Sequence, residues 1–330
     1  MEILVSGSLA YDRIMEHPGR FADHLMPDQL HNINVSFMVS GMTEKFGGTA
    51  GNIAYALAQL HEQPRILAAI GHDHQRYFQW LQKYGVDTDT IKVVDEEFTA
   101  SAFITTDLDN NQITQFNPGA MMRPTGLGAS GLENGAVRPN DCIAIVGPGN
   151  LQDMMEYPLA YQKLGVYCIF DPGQSLPSWD GEALSTAIAH SDMLISNEYE
   201  LEMITSKTGL DIDQLLTKVS AVITTKGASG TEVLTSAEAT FIPAVPTDNA
   251  VDPTGAGDAF RGGLIKGIVL GYPLVRAAQM GTVCAHYVVQ VYGTQEYSFT
   301  LEEFTAKLEE IFGPPPAHSH DHTEEHGHGH

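Results

Sequence analysis

The sequence DPTGAGDAF, residues 252–260, places a proline and two glycines between two apolar runs. FIPAV at 241–245 precedes it and is short enough for a strand or a strand end. GGLIKGIVL at 262–270 follows it and is long enough for a buried helix. Gly255 and Gly257 let the loop adopt positive φ and let a ligand approach the backbone. Since the first N–H groups of a helix have no partner within it, the stretch predicts an anion site at a helix start.

A carboxylate, Asp258, occupies this predicted anion site. A helix N-terminus keeps an aspartate ionised, and the ionised side chain would repel a phosphate resting there. The arrangement fits a phosphoryl group in transit, with Asp258 accepting the proton of the hydroxyl that attacks it. The alternative is that Asp258 only caps the helix and the glycines only form the turn, which is the ordinary interpretation of an isolated Gly-x-Gly.

The composition argues against several classes of partner. The chain has 330 residues, 43% of them hydrophobic, which suffices for one large α/β domain or two smaller ones. The formal net charge of −24 argues against binding to nucleic acid or to an anionic membrane, because both need clustered Lys and Arg. The three cysteines are far apart in apolar contexts, as reduced core thiols are. With no signal-peptide pattern and no apolar run near the ~18 residues of a membrane span, we expect a soluble, cytoplasmic protein.

Short apolar runs alternate with helix-length segments along most of the chain. The runs are ILV at 3–5, ILAAI at 66–70, CIAIV at 142–146, VYCIF at 166–170, MLIS at 193–196 and AVITT at 221–225. This alternation predicts an α/β fold with a mostly parallel sheet covered on both faces by helices. Polar candidates follow several of the runs, among them Asp12 just past the predicted end of the first strand, where open α/β sheets bind ligands.

A second, smaller sheet is predicted from two separated segments. Polar and apolar residues alternate through HNINVSFMV at 31–39, which is typical of a sheet with one exposed face. FITT at 103–106 and QITQF at 112–116 flank a turn in the manner of a hairpin. We therefore expect lid strands from about 11–46 and 98–120, inserted in a single unit that spans residues 1–312.

The sequence FGGTAGNIAYALAQL at 46–60 repeats the pattern of a glycine loop followed by a helix. It predicts a second site for an anion or a hydroxyl at a helix start. Asn52 would lie in the first turns of this helix, with an amide able to pair with two hydroxyls. The alternative is a close-packed helix start that binds no ligand.

In this order, the stretches at 46–60 and 252–260 resemble the two motifs of the PfkB/ribokinase family of small-molecule kinases. The resemblance covers residues 3 to 312 and implies a ribokinase-like, three-layer αβα core with a small β-sheet lid. It also implies that Asp258 is the catalytic base and that the amides of Gly255, Ala256 and Gly257 neutralise the developing charge. A dinucleotide oxidoreductase is disfavoured, because the first strand is not followed by a Gly-x-Gly-x-x-Gly turn.

The same resemblance implies ATP and Mg²⁺ as cofactors. Asn197 and Glu200 match the family's Asn-x-x-Glu element, which acts on Mg²⁺ and phosphate through water; a surface helix start carrying acids is the alternative. Residues 281–295 correspond to the helix and loop that enclose the adenine of ATP. Many members are activated by a monovalent cation such as K⁺ near the loop at Asp252, which adds a candidate cofactor. Four residues match the family's nucleotide loop: Thr225, Lys226, Gly227 and Gly230.

Within the family, the N-terminal third most resembles bacterial adenosine kinases, which implies adenosine as the small-molecule substrate. The implied contacts are Asp12, Gly48 and Asn52 on the ribose hydroxyls, Phe103, Phe116 and Met121 over the purine, and Ser8, Ser36 and Gln174 as polar contacts. For the two phenylalanines, a role in the lid core or in a dimer contact is the alternative. For the whole protein, the alternatives are a kinase for another nucleoside or for a sugar such as ribose or fructose, and a non-catalytic nucleoside-binding regulatory protein.

The last segment, residues 313–330, differs from the rest of the chain. After three prolines it is polar and contains six histidines, which predicts a disordered tail that can bind Ni²⁺ or Zn²⁺ loosely. An exposed lid edge also offers a surface for pairing two chains, and a homodimer through the lid is our hypothesis for the assembly.

Overall fold

Strands form where the sequence carries short apolar runs, and helices lie between them. The computed structural model describes residues 1–24, 34–132, 135 and 138–314. The strands are β1 Glu2–Ser6, β2 Ala10–Glu16, β3 Met42–Gly47, β4 Arg65–Leu67, β5 Ala69–Gly71, β6 Lys92–Val94, β7 Ala100–Thr106, β8 Gln112–Asn117, β9 Cys142–Val146, β10 Tyr167–Phe170, β11 Met193–Asn197, β12 Ala221–Thr225, β13 Gly230–Thr235 and β14 Ala239–Pro243. The helices are α1 Thr49–Gln59, α2 Gln75–Lys83, α3 Leu151–Leu164, α4 Gly181–Ala189, α5 Glu198–Thr208, α6 Ile212–Leu216, α7 Ala256–Val269, α8 Leu274–Val288 and α9 Leu301–Phe312.

The large sheet has the strand order β14-β13-β12-β11-β10-β9-β1-β4. Neighbouring strands from β12 to β4 run parallel, and β13 and β14 extend one edge in antiparallel fashion. The predicted, mostly parallel sheet is therefore confirmed. Because parallel strands end at the same edge, their carboxyl ends together form the crevice in which open α/β sheets bind ligands.

Successive side chains of the central strands enter two different apolar layers. Ile145 and Ile195 belong to a buried cluster that includes residues of α1, α7 and α8. Ala144 and Leu194, one position earlier on the same strands, belong to a cluster with residues of α3 and α4. This alternation with a period of two is what a sheet covered on both faces requires. The predicted αβα layering is confirmed.

The small sheet has the strand order β3-β2-β7-β8. β7 and β8 form the predicted antiparallel hairpin. β2 pairs antiparallel with β3 and parallel with β7, so the two segments predicted to form the lid do meet in one sheet.

The strand predicted from the alternation at 31–39 is not found where the residues are described. Residues 34–39 have no regular secondary structure, and 31–33 lie outside the described residues. The ring of Phe37 instead packs on two aromatic rings of the segment after β2, His17 at 5.1 Å and Phe21 at 5.0 Å between centroids. Contacts with side chains of that segment, rather than a strand partner, account for Phe37.

The run at 66–70 was predicted as one strand and is two. β4 belongs to the large sheet, whereas β5 pairs with β6 in a separate two-stranded sheet. Gly71 ends β5, and a Cβ there would lie 2.3 Å from the backbone of Phe98 and of Thr99. The chain leaves the large sheet where this close backbone approach occurs, and the apolar pattern does not encode such an approach.

Two further predictions concern buried thiols and the tail. Cys142, Cys168 and Cys284 are buried and unpaired, which confirms that they are core thiols. Within the described ranges, no helix is both long enough and apolar enough to cross a membrane. The predicted disordered tail falls almost entirely on residues 315–330, which lie outside the described residues.

Candidate active site

Two helices begin side by side at the centre of the predicted site. α1 begins after Gly48 with φ 90°, and α7 begins after Gly255 with φ 80°. A side chain at Gly48 would lie 2.6 Å from the carbonyl oxygen of Ser8. Along their lengths the helices are in close contact, since a Cβ at Gly262 would lie 2.5 Å from the Cβ of Ala56. Both predicted motifs therefore reach the same place.

The start of α7 keeps free hydrogen-bond donors. The N–H groups of Gly255, Gly257 and Asp258 have no acceptor among the described residues, whereas the N–H of Ala256 donates to the carbonyl oxygen of Pro253 at 3.2 Å. The family resemblance implies the amides of Gly255, Ala256 and Gly257. The N–H of Ala256 is instead used by a turn before the helix, and the N–H of Asp258 is free in its place. The positive end of a helix with free N–H groups is suited to an anion.

The start of α1 is capped by the protein itself, which argues against an anion there, whereas the predicted hydroxyl site at this helix start stays a prediction. The N–H of Thr49 donates to Ser8 Oγ at 3.0 Å, and the N–H of Ala50 donates to the carbonyl oxygen of Ser8, also at 3.0 Å. Ser8 is buried, with 5% of its surface exposed. Its hydroxyl oxygen serves the helix, and its predicted contact with substrate stays a prediction.

Asp258 lies in the first turn of α7 among charged and polar neighbours. Asn52 Nδ2 donates to Asp258 Oδ2 at 2.7 Å. One turn further, Arg261 is buried, and its Nε donates to Asp171 Oδ2 at 2.5 Å. Burial raises the pKa of Asp258 to about 6; Arg261 and the hydrogen bond from Asn52 oppose this rise, and the negative charges of Asp171 and Glu200 add to it. A pKa near neutrality suits a general base, which must be ionised and still able to take a proton.

Thr294 and Gln295 are site residues whose role sequence reasoning missed. They end the segment expected to enclose adenine, yet only 5% and 1% of their surfaces are exposed. Thr294 Oγ1 donates to Asn52 Oδ1 at 2.8 Å, and Gln295 Nε2 donates to the same oxygen at 3.0 Å. Their distance from Asn52 in sequence, more than 240 residues, leaves no local signal that could have indicated the contact.

Asp12 lies within β2 of the small sheet, after the end of β1 and inside the segment predicted to form the lid. A Cβ at Gly47 would lie 2.6 Å from Asp12 Oδ2, so the carboxylate packs closely against the backbone of this glycine. Burial, together with the charge of Asp252, raises the pKa of Asp12 to about 6. Lys45 is the strand partner of Asp12 on β3, and its Nζ lies 2.8 Å from Glu296 Oε1. This face of the small sheet is therefore turned toward the loops at 252 and 293–296.

The strand register separates the two phenylalanines predicted to cover the purine. Ala102 is aligned with both Asp12 and Phe116, so Phe116 shares the face of Asp12. Phe103 is aligned with Arg13, whose guanidinium carbon lies 5.3 Å from the centre of the Phe103 ring. Since side chains aligned across a sheet share a face, Phe103 lies on the opposite face. The placement of Phe103 supports the alternative of a contact within the small sheet rather than a contact with the purine.

The other implied substrate contacts lie at the carboxyl edge or on the surface. Met121 lines a small cavity beside Gly147 and Asn150, and its carbonyl oxygen accepts from Asn150 Nδ2 at 3.2 Å. Ser36 and Gln174 are exposed, and neither side chain has a hydrogen-bond partner in the described parts of the chain. These roles stay predictions.

Asn197 and Glu200 form a helix cap. The N–H of Glu200 donates to Asn197 Oδ1, and the N–H of Asn197 donates to Glu200 Oε2, both at 2.8 Å. This reciprocal pattern is a capping box, and it agrees with the alternative that these residues form a surface helix start carrying acids. Burial and the charge of Asp171 raise the pKa of Glu200. Where the structure describes the chain, no three His, Cys, Asp or Glu side chains are grouped so as to hold a metal ion.

The predicted nucleotide loop follows β12. Gly227 and Gly230 have φ of 53° and 133°, which other residues rarely adopt. Lys226 is paired on this loop, because its Nζ lies 3.0 Å from Glu232 Oε2 and 3.7 Å from Glu198 Oε1. Thr225 Oγ1 donates to the carbonyl oxygen of Ser196 at 3.5 Å. The charge of Lys226 is therefore already balanced by carboxylates.

Comparison with known proteins identifies relatives over nearly the whole chain. The pfkB family of carbohydrate kinases matches residues 6–300. A nucleoside kinase of Methanocaldococcus jannaschii is 30% identical over 295 residues, which are 87% of this chain and 95% of that protein. The structure of a Burkholderia thailandensis nucleoside kinase in complex with inosine is 39% identical and superposes with a TM-score of 0.82, covering 95% of this chain and 99% of that one. A structure of the same enzyme in complex with ADP-inosine gives a TM-score of 0.81 at 39% identity and covers 98% and 100%.

Proposed function

The chain belongs to the PfkB family of carbohydrate kinases, and from this premise we propose that it transfers the γ-phosphoryl group of ATP to the 5′-hydroxyl of a nucleoside, with adenosine as the preferred acceptor. The main support is the contact of Asp258 with Asn52, 2.7 Å apart, beside three N–H groups of the α7 start that have no acceptor among the described residues. A base and an anion site adjoin there, as phosphoryl transfer requires.

Asp258 accepts the proton of the acceptor hydroxyl while the oxygen of that hydroxyl forms its bond to phosphorus and ADP leaves. The free N–H groups of Gly255, Gly257 and Asp258 donate to the oxygens that carry the developing charge. Arg261 brings a positive charge beside these donors: its Nε is paired with Asp171, and its Nη1 would lie 2.8 Å from a Cβ at Gly257. Lys226 is likewise paired with carboxylates, those of Glu232 and Glu198.

The residues present fit a nucleotide bound with Mg²⁺. The ion would neutralise the charges of the phosphates. Asp171 Oδ1 is buried and has no hydrogen-bond partner in the described chain, and burial beside Asp171 raises the pKa of Glu200. A cation nearby would stabilise both carboxylates. We expect Glu200 and Asn197 to contact the ion through water, because both are engaged in the helix cap. The nucleotide itself would lie along the loop at Thr225 to Gly230.

The acceptor is proposed from the small sheet and from the relatives. Asp12 offers a carboxylate for ribose hydroxyls, and Phe116 offers an aromatic ring on the same face of the sheet. Known relatives are named nucleoside kinases, and one of them is seen with inosine. The N-terminal third resembles adenosine kinases, which is our reason to place adenosine first. Closure of the small sheet over the site would exclude water, which is a competing acceptor.

An assay of ADP release tests the proposal. Adenosine, inosine, guanosine, ribose and fructose are compared with ATP and Mg²⁺, with Asp258→Asn as the control. We expect turnover on adenosine that the variant loses by about 10²–10⁴-fold, the usual contribution of a general base. Faster turnover on inosine would show that inosine, not adenosine, is the preferred nucleoside. Turnover on sugars alone would overturn the nucleoside assignment. Absence of turnover combined with thermal stabilisation by a nucleoside would favour the non-catalytic binding protein.

We also propose that two chains pair through the small sheet. β8 forms one edge of this sheet and is exposed along most of its length, with 54% of the surface of Phe116 accessible. An exposed edge strand presents unpaired backbone groups that a second chain can satisfy. A mass of one chain by light scattering at working concentrations would contradict this assembly.

A further inference from the structure

Within the described parts of the chain, every hydrogen-bonding group of the Asn52 side chain except one N–H has a partner. Its Oδ1 accepts from Thr294 Oγ1 at 2.8 Å and from Gln295 Nε2 at 3.0 Å. Its Nδ2 donates one hydrogen to Asp258 Oδ2 at 2.7 Å. An amide nitrogen carries two hydrogens, so a single donor is left for a substrate. A ribose hydroxyl at Asn52 must then act as the acceptor.

Trp80 determines the direction of these hydrogen bonds. An indole N–H can only donate, and Trp80 Nε1 donates to Gln295 Oε1 at 2.8 Å. Oxygen therefore faces Trp80, and the amide nitrogen of Gln295 faces Asn52. Tyr77 agrees with this assignment, because its hydroxyl donates to the carbonyl oxygen of Gly47 at 2.7 Å and accepts from Gln295 Nε2 at 3.0 Å. Amide orientations that are otherwise ambiguous are thereby set by a group with only one possible role.

We propose that Trp80 and Gln295 are positioning residues for the catalytic base. They hold the Asn52 amide with its nitrogen toward Asp258, so that one carboxylate oxygen is occupied and the other is left to the acceptor hydroxyl. This inference rests on the proposed function for the role of Asp258 as base, although the hydrogen-bond relay Trp80–Gln295–Asn52–Asp258 exists without it.

Packing makes the relay rigid. The indole of Trp80 is stacked between Phe46, at 5.0 Å and 19°, and Tyr55, at 6.0 Å and 8°. Only 1% of the surface of Gln295 is exposed, and a Cβ at Gly255 would lie 2.9 Å from the Cβ of Thr294. Buried hydrogen bonds in a network strengthen one another, and an unpaired buried amide is costly. The two ends of the relay are thus fixed by the aromatic stack and by the start of α7.

The charged groups that act on Asp258 are Arg261 on α7, Asp171 after β10 and Glu200 on α5. Two buried phenols, those of Tyr77 on α2 and of Tyr297, also interact with it. A substitution of Gln295 changes none of these charges. It removes the hydrogen bonds of Gln295 with Trp80 and Tyr77 and, with them, the restraint on Asn52, whose N–H stabilises the ionised form of Asp258 and lowers its pKa. Loss of the restraint is expected to raise that pKa.

An NMR titration tests the relay without any substrate. The chain has two tryptophans, and their indole N–H groups differ, because Trp80 donates to Gln295 whereas Trp179 Nε1 is buried with no partner in the described residues. We expect the Trp80 resonance to titrate with a midpoint near pH 6, the pKa of Asp258, while that of Trp179 does not. The titration is expected to disappear in Asp258→Asn and in Gln295→Met and to persist in Asp12→Asn. A flat Trp80 resonance, or one that still titrates in Asp258→Asn, would overturn the relay.

The pH dependence of kcat/KM then tests its catalytic consequence. Gln295→Met, which keeps the length of the side chain, is expected to move the acid limb up by about one pH unit, because a hydrogen bond to a charged group contributes about 1.5 kcal/mol. The loss in kcat/KM should be roughly tenfold on the acid limb and about twofold near pH 7. Trp80→Phe, which keeps the aromatic stack, is expected to shift the limb in the same direction. An equal loss at every pH would indicate a merely structural role and contradict the proposal.

The proposed function and the positioning role of the relay can fail independently. If no nucleoside is turned over and Trp80 still reports the ionisation of Asp258, the proposed function is wrong and the relay stands. If nucleosides are turned over with unshifted acid limbs in both variants, the proposed function stands and the positioning role is wrong.

Discussion

At the residue scale, the site combines two carboxylates whose ionised forms are disfavoured by burial. Asp258 lies in the first turn of α7 and Asp12 lies on β2 of the small sheet, and each has a pKa raised to about 6. For Asp258 the raised pKa suits proton transfer. For Asp12 it implies that an ionised carboxylate is held near Asp252 at a cost in stability, as functional sites often require.

Asp12→Asn is therefore expected to stabilise the protein and to weaken nucleoside binding. The carboxyl titrates near its ordinary pKa of 3.8 in the unfolded chain and near 6 in the folded chain. The cost of ionisation is thus absent at pH values below both, grows between them and is complete above about pH 6. The gain in the free energy of unfolding, measured in urea, should be larger at about pH 8 than at about pH 5. A gain independent of pH would contradict this explanation.

Gly255→Ala is expected to abolish activity at a modest cost in stability. Gly255 has φ of 80°, and an added Cβ would lie 2.8 Å from Thr294 Cγ2, so both the anion site and the Asn52 contact would shift. Gly271→Ala is the matched control, because Gly271 has φ of 75° and open space around the added Cβ. Both variants should lose about 1–2 kcal/mol of stability from the left-handed backbone. Only Gly255→Ala should lose kcat; an equal loss in the control would refute the assignment.

At the scale of elements, the small sheet has two faces with different tasks. β2 turns Asp12 to one face and Arg13 to the other, and the alignment of β7 and β8 extends this division to Ala102 and Phe103. On the face of Arg13, its guanidinium donates to Glu44 Oε2 and to Ser101 Oγ, both at 3.0 Å. The face of Asp12 is the one that we expect to meet the nucleoside.

Phe116→Ala should therefore change mainly the KM for the nucleoside, and Phe103→Ala should change mainly the stability. Phe116 is 54% exposed on the face of Asp12, so its loss should raise KM for the nucleoside with little change in KM for ATP or in stability. Phe103 lies against Arg13, and its loss should lower the free energy of unfolding by about 1–2 kcal/mol with a smaller effect on KM. Kinetics and urea unfolding of both variants distinguish the faces. If Phe103→Ala were the one that raised KM, the division would be wrong.

At the scale of the whole molecule, side chains join the small sheet to α2 and to the loop before it. Arg13 Nη2 lies 3.6 Å from Asp73 Oδ2, just before α2, and Glu44 Oε1 accepts from Arg76 on α2 at 2.5 Å. Tyr11 Oη donates to the carbonyl oxygen of Asp73 at 2.9 Å. Because these contacts lie on the face opposite Asp12, they orient the small sheet without occupying the site.

Arg13→Met is expected to loosen this connection. It removes three interactions at once and should cost about 2 kcal/mol of stability, since partners of a charged group are left unpaired. The nucleoside KM should rise with it, because Asp12 lies on the same strand. Arg65→Met serves as a control: its ion pair with Glu2 at 3.3 Å is on the surface and should contribute at most about 1 kcal/mol. Equal effects of the two substitutions on KM would argue against the connecting role.

Much of the fold and of the chemistry was determined by the sequence itself. Apolar runs such as CIAIV at 142–146 and AVITT at 221–225 became strands with the predicted bounds, because a run of buried side chains with helix-length spacers has few other ways to pack. The glycines at 48 and 255 marked both helix starts, and Asp258 was identified within the second. These features are local, since spacing and backbone freedom suffice to define them.

Only the tertiary structure decided how these parts face one another. Strand register put Phe103 on the opposite face from Asp12, and Ser8 accepts hydrogen bonds from two N–H groups of the helix start that were predicted to meet an anion or a hydroxyl. Trp80 and Gln295 are separated by 215 residues, yet their contact sets the orientation of Asn52. Hydrogen bonds between distant segments depend on which segments come close in the fold and on which side chains already have partners. The local pattern of residues determines neither.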